Sequence, residues 1–247
     1  MVVMTSFYDA TAASCRDADH ARAHSERRAA TRRIKRQCLE SAARALGPGP
    51  VSIVDFGCGR GQLLNAIRDV FGPVGWRYVG ADTSSESLKE FARRAATEVA
   101  SGAVQLVHGD AVSHFESSPV PADLVLCLYA VHYFGDLRRA LGAMARCCRP
   151  GAVVLLMHAD ADTILDDREH VSGYCPETDT YVYNLRPLIV DSRERRVPTA
   201  DLCAGARDAG LELASTTRLD HLVPRERSDE KITGLSYFRA TVFRRAF

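Results

Sequence analysis

Val54-Asp55-Phe56-Gly57-Cys58-Gly59-Arg60-Gly61 decides the reading of this 247-residue chain. Residues 51–56 form a short apolar stretch with the character of a strand, and residues 62–70 carry a helical pattern. Between them lies a glycine-rich turn, the place where open α/β proteins bind nucleotides. Glycines there let backbone approach a ligand with no Cβ in the way. The third glycine falls at 61 rather than 62. The pattern is an acid followed by G-x-G-x-G, not the G-x-G-x-x-G of dinucleotide oxidoreductases, so an NAD enzyme is disfavoured.

Outward from the turn, strand and helix alternate. Residues 21–46 read as a helix with Ala30, Ile34, Ala42, Ala43 and Leu46 near one face, ended by Gly47-Pro48-Gly49-Pro50. Strands are expected at 76–81, 103–108, 123–129 and 152–158. Helices are expected at 84–100, with Ser84 or Ser85 as N-cap, and at 136–148, closed by Arg149-Pro150-Gly151. Residues 123–129 are continuously apolar, as in a buried parallel sheet. The pattern breaks over 159–200, which reads as a substrate-side insert. A helix at 199–210 and strands at 211–219 and 236–244 follow. The expectation is an α/β, Rossmann-like, doubly wound, mostly parallel seven-stranded sheet in a single domain of residues 1–247. Its parts are an N-terminal helical extension (1–46), a cofactor-binding core (51–158), the insert, and a C-terminal helix and strands (201–247).

Each of the first three strands ends on an acid. Asp55 flanks the glycines, Asp82 closes the second strand, and Asp110 follows the third. Asp82 is placed to accept from two ribose hydroxyls, and Asp110 from an adenine amino group. Taken singly, each acid or glycine also has the plainer reading of a helix cap or a loop residue. An acid beside the loop suits a ligand with a zwitterionic amino-acid tail and no pyrophosphate. On these residues, and on Arg149-Pro150-Gly151 before an apolar strand, positions 50–160 resemble the class I S-adenosylmethionine (SAM)-dependent methyltransferases. That resemblance implies SAM as cofactor, held by Asp55, Gly57, Gly59, Gly61, Asp82 and Asp110, and leaves the acceptor open.

Four further stretches are similar to the mRNA cap guanine-N7 methyltransferases. They are Tyr8-Asp9 with Arg22, Ser25 and a basic helix containing Lys35; Cys127-Leu128-Tyr129-Ala130-Val131-His132-Tyr133; Tyr181-Val182-Tyr183-Asn184-Leu185 with Val190-Asp191-Ser192-Arg193-Glu194; and Ser236-Tyr237. The resemblance implies methyl transfer to N7 of a guanosine cap. Lys35 would meet the SAM carboxylate, and Tyr129 would border both SAM and base. His132, Tyr133 and Glu194 would be catalytic. Tyr129, Tyr133 and Tyr237 would stack on guanine, with His132 at O6 and Glu194 at N1 and N2. The arginines of the first helix would face the triphosphate. Plainer readings of the same residues are a packed strand end at His132 and Tyr133, a surface ion pair at Glu194, and a solvated or nuclear-import patch for the arginines. The chain departs from the family at Gly59-Arg60-Gly61-Gln62-Leu63, in place of Gly-Lys-Gly-Gly-Asp, at Leu128 in place of Gln, and at Arg193 in place of Pro.

Composition sets outer limits. A net charge of +1 excludes a generic polyanion binder, although Arg22, Arg27, Arg28, Arg32, Arg33, Lys35 and Arg36 crowd one stretch and Arg193, Arg195 and Arg196 another. Eight cysteines with no C-x-x-C pair argue against zinc or a disulfide framework and for a reducing intracellular compartment, nuclear or, for a virus, cytoplasmic. No metal is expected. No stretch reads as a signal peptide or membrane span. The expected partner is the capped RNA 5′ end, with other capping-enzyme subunits as further candidates. The rival readings are a methyltransferase for a small molecule or protein, and a catalytically silent subunit.

Overall fold

A seven-stranded sheet between two helical layers carries the molecule, with strand order β3-β2-β1-β4-β5-β10-β9. In the computed structural model, backbone is described for residues 18–158, 160, 171–175, 180–183, 192–195, 197–222 and 235–246, and side chains for 32–158, 160, 197–218 and 239–246. The strands are β1 (Val51–Phe56), β2 (Trp76–Asp82), β3 (Val104–His108), β4 (Ala122–Leu128), β5 (Cys148–His158), β9 (Leu211–Leu222) and β10 (Leu235–Arg245). β1 to β5 run parallel, so their C-terminal ends share one edge. β10 is antiparallel to both neighbours and brings its N-terminal half to that same edge. The order reverses at β1, between β2 and β4, which opens a crevice there.

Strand alternation builds the two cores. Ile53, Leu124, Leu126, Val153 and Leu155 face one side. There they meet α1 (Ala18–Leu46), α2 (Leu64–Phe71) and α3 (Ser85–Arg94) through Leu39, Ile67 and Phe91. Val54, Phe56, Val125, Cys127 and Leu156 face the other side. They pack under α5 (Ala111–Ser117), α6 (Leu137–Cys147) and α7 (Thr199–Asp208) through Phe115, Met144 and Leu202. Two-sided burial is why these strands read as continuous apolar runs.

Several boundaries differ from the sequence expectation. The helix expected over 84–100 is two, α3 and α4 (Ala96–Ala100), parted at Ala95, whose φ of −105° and ψ of 25° are not helical and which is fully buried. Ser84, not Ser85, is the N-cap, its Oγ accepting from Ser87 N at 3.2 Å. α2 begins at Leu64 because the glycine turn extends to Gly61. Arg149-Pro150-Gly151 does not precede β5 but lies inside it. Arg149 pairs with Asp123 on β4 at 2.9 and 3.0 Å, and a register irregularity between Ala122 and Leu124 accommodates the proline. Among the described side chains of α1 the buried positions are Ile34, Cys38, Leu39 and Ala42, so its inward face includes two residues the pattern missed. β9 continues to Leu222, beyond the expected end at 219.

The 159–200 region reads from sequence as a substrate-side insert that breaks the α/β alternation, with no element assigned before 199. Its described parts include three short strands, β6 (Val171–Cys175), β7 (Thr180–Tyr183) and β8 (Ser192–Arg195), joined as an antiparallel sheet. Glu194 is paired with Tyr181 in that sheet.

Candidate functional site

The glycine turn folds back across the end of β2. Gly57 N and Cys58 N donate to Ala81 O at 2.9 and 3.1 Å, and Gly59 N donates to Asp82 Oδ2 at 2.8 Å. Two of the glycines differ in what surrounds them. A Cβ on Gly61 (φ +69°) would clash with the ring of Phe91, whereas a Cβ on Gly59 (φ +53°) would meet nothing within 4 Å. Gly61 is thus held by packing, and Gly59 presents bare backbone to open space at the crevice.

Asp82 accepts one backbone N–H on each oxygen, Gly59 N on Oδ2 and Ser84 N on Oδ1 at 2.9 Å. A carboxylate has about four acceptor sites, so a vicinal diol can still be bound. Burial raises its pKa, against the lowering effect of these N–H groups. Asp110 caps α5, Oδ1 accepting from Ser113 N at 2.7 Å, while remaining half-buried at the end of β3. It is therefore a helix cap, whatever it does toward a base.

Asp55 is 2% exposed and faces the α1 side. Its Oδ2 accepts from Tyr78 Oη at 2.6 Å, and its Oδ1 has no partner among the described residues. Burial pushes the carboxyl up to about 6, opposed by the Tyr78 hydrogen bond and the Lys35 charge. Lys35 reaches from α1 to lie 5.1 Å from the ring centroid of Tyr129, a cation–π arrangement. Burial lowers the Lys35 pKa, and Asp55 counters it.

Tyr129 follows β4 with φ +62°, the one left-handed non-glycine among the described residues, and donates its N–H to Met157 O at 3.1 Å. That kink turns the chain off the sheet into the 3-10 turn Val131–Tyr133. His132 is 8% exposed, and its Nδ1 is buried without a partner among the described residues. Burial, then the nearby His158, pulls its pKa down to about 4, so the imidazole is neutral near pH 7. The Tyr133 ring lies 4.1 Å from it, tilted by 53°.

Cα atoms of β8, the strand of Glu194, come within 8 Å of those in the 3-10 turn. Tyr237 lies on β10 two residues before Arg239, which pairs with His158 at the C-terminal end of β5. The backbone thus brings 129–133, 194 and 237 to the sheet edge that carries the glycine turn. The side chains of Glu194 and Tyr237, and those of Arg22, Ser25, Arg27 and Arg28 on α1, lie outside the described residues, as do Tyr8 and Asp9 entirely.

Three positions were not singled out from sequence. Tyr78 holds Asp55, and Gly80 leaves room where a Cβ would press on Tyr78 and Cys58 at 2.7 to 2.9 Å. Asp160, 7% exposed just past β5, accepts from Thr199 N at 2.9 Å and Thr199 Oγ1 at 2.6 Å and forms an ion pair with Arg239 at 2.5 Å. Alternation in β2 could have put Tyr78 on the face of Asp55. Nothing local marks Asp160, whose partners lie 39 and 79 residues on. Among the described residues no set of His, Cys, Asp or Glu is grouped to hold a metal, and no helix is long and apolar enough to cross a membrane.

Strand order, antiparallel β10 and an acid at the end of β2 beside a glycine turn define the class I methyltransferase fold. Residues 54–154 match the family model for a methyltransferase domain. An uncharacterized methyltransferase of Bacillus subtilis (strain 168), YcgJ, is 32% identical over 120 residues, 47% of this chain and 44% of that protein. A tRNA 5-carboxymethoxyuridine methyltransferase of Escherichia coli (strain K12) is 28% identical over 132 residues, 52% of this chain and 48% of that protein. The chain thus spans less than half the length of either relative. A magnesium protoporphyrin IX methyltransferase from Synechocystis PCC 6803, solved with bound SAH, superposes with a TM-score of 0.59 at 16% identity, over 93% of this chain and 88% of that one. The fold is that of the class I SAM-dependent methyltransferases, residues 54–154 match a methyltransferase-domain model, and the cofactor that goes with them is SAM. The residues present fit that cofactor. Gly59 offers open backbone, Asp82 has acceptor capacity for a ribose diol, and the orphaned Asp55 Oδ1 is a buried acceptor that an ammonium could satisfy.

Proposed function

We propose that the chain transfers the methyl of SAM to N7 of the guanosine cap at an RNA 5′ end. The observation that carries this reading is the convergence of the 3-10 turn, β8 and the start of β10 on the cofactor edge. The stretches 127–133, 181–185, 190–194 and 236–237, similar to those of the cap enzymes, support the same acceptor.

SAM supplies an electrophilic methyl on a sulfonium. Guanine N7 offers an in-plane lone pair and no proton, so the protein needs no general base at the attacking atom. Its tasks are to hold the base in line and to exclude water. In this reading Tyr129 and Tyr133 give stacking faces, with Tyr237 beyond them. The neutral His132 can donate to O6 from Nδ1, which has no partner among the described residues. Glu194 accepts from N1 and N2, which draws electron density toward N7. Lys35, beside Asp55 and Tyr129, is positioned for the carboxylate of the cofactor.

Incubation of the full chain with radiolabelled SAM and a GpppG dinucleotide tests the reading. Label on guanine N7 supports it. SAM binding without any label transfer to GpppG or capped RNA overturns the cap assignment and directs attention to another acceptor, such as a small molecule or a tRNA. Glu194→Ala is expected to lower kcat/KM for GpppG about 100-fold while SAM affinity stays within about twofold.

A further inference from the structure

The segment containing β6, β7 and β8 leaves the core after Asp160 and returns to it at Val197, and the structure joins those two points directly. Asp160 takes the backbone N–H and the hydroxyl of Thr199. Two residues earlier, His158 is fully buried; its Nδ1 lies 2.8 Å from Val197 O and its Nε2 lies 2.9 Å from Thr241 Oγ1. A carbonyl only accepts, so Nδ1 carries a proton. Arg239 closes the arrangement from β10 by pairing with Asp160. α7 depends on it as well. Its N-cap is Pro198, which offers no side-chain acceptor, and Asp160 fills that role from 39 residues upstream.

We propose that Asp160, with His158, Thr199 and Arg239, is a positioning clasp. It sets how β8 lies against the 3-10 turn Val131–Tyr133, and so sets the affinity for the methyl acceptor without touching the cofactor. The inference rests on reading that edge as the acceptor side. β8 ends at Arg195, two residues before the clasped Val197, which leaves the strand little freedom relative to β5. The glycine turn and Asp82 stand across β1 and β4 from β5 and share no hydrogen bond with the clasp among the described residues.

The test uses the full chain carrying Asp160→Asn. Amide exchange of Ser192–Arg195 is expected to accelerate about tenfold or more while that of β4 is unchanged. The SAM Kd by calorimetry is expected to stay within about twofold, and the KM for GpppG to rise about tenfold with kcat within about threefold. Thr199→Val removes one donor and is expected to act in the same direction more weakly, with Thr199→Ser restoring wild-type values. If Asp160→Asn fails to fold, the Thr199 pair decides. Unchanged β8 exchange overturns the clasp, as does an equal loss of β4 protection or of SAM affinity. If the wild-type chain transfers no methyl to caps, the cap reading falls separately, and exchange together with SAM affinity still decides the clasp.

Discussion

Gly59 and Gly61 are two residues apart in one turn, yet alanine at the two positions should fail in opposite ways. Both have left-handed φ, +53° and +69°, and a Cβ in that region costs about 1 to 2 kcal/mol. At Gly59 that is the whole structural cost, because the new methyl meets nothing within 4 Å. At Gly61 the methyl clashes with the ring of Phe91, which is 1% exposed and packed in the core. Overpacking adds about 1 to 3 kcal/mol, toward the upper end here. Gly59→Ala should therefore cost about 1 kcal/mol and Gly61→Ala about 4 kcal/mol. For a chain of this size that is a fall in Tm of roughly 3 °C against roughly 12 °C. Cofactor affinity should rank the other way. Gly59→Ala fills the space where cofactor approaches bare backbone and should raise the SAM Kd at least about tenfold, while folded Gly61→Ala should bind SAM within about threefold. Thermal denaturation and titration calorimetry on the two variants provide the measurement. A Gly59→Ala protein that binds SAM as tightly as wild type would refute the assignment of the open face of the turn to the cofactor.

Asp82→Ala should raise the SAM Kd about 100-fold by calorimetry, since it removes both the diol acceptor and the anchor of Gly59 N. Tyr78→Phe deletes the hydrogen bond that lowers the Asp55 pKa, so that pKa should rise above its present value of about 6. A raised acid pKa means the fold holds the proton more tightly than the unfolded chain. Stability from Asp55 is thus present below pH 3.8 and is lost as pH rises toward about 6, by about 3 kcal/mol; Tyr78→Phe should extend that loss to higher pH. His132 works in the other direction. Its pKa falls from 6.5 to about 4, so its contribution is present above 6.5 and lost as pH drops toward 4, again by about 3 kcal/mol. Because the two effects oppose, each is read as a variant-minus-wild-type difference in Tm between pH 4 and 8. His132→Leu should be relatively more stable at pH 4 than at pH 7, and a difference flat across the range would remove His132 as a buried neutral group.

The sheet core was legible because strands buried on both faces leave apolar runs that no other element imitates at that length. The glycine turn was legible because its residue types are dictated by backbone approach. The acids at the ends of β1, β2 and β3 followed from strand boundaries alone. Other features depend on partners far along the chain. The break at Ala95 comes from tertiary burial overriding a good helix former, a competition that propensity cannot resolve. The position of Pro150 inside β5 depends on Arg149 reaching Asp123, 26 residues away. Asp160 caps a helix that begins 39 residues later. The role of Tyr78 was hidden for a different reason. An aromatic in a strand reads as core, and only the register of β2 against β1 shows that its hydroxyl ends on Asp55.

The position of β10 between β5 and β9 has a consequence for assembly during synthesis. β9 leaves the ribosome before β10, but among the described residues it pairs only with β10. Until residues 235–245 emerge, β9 has no template, and the flank of β5 bearing Val153 to Met157 stays open. A nascent chain translated through β9 therefore presents a bare apolar strand edge, the surface that chaperones retain and that other chains capture. Completion of the sheet is one late, non-local event, and translation arrest or truncation anywhere between 222 and 235 would leave a five-stranded intermediate prone to association rather than a shortened but sound protein.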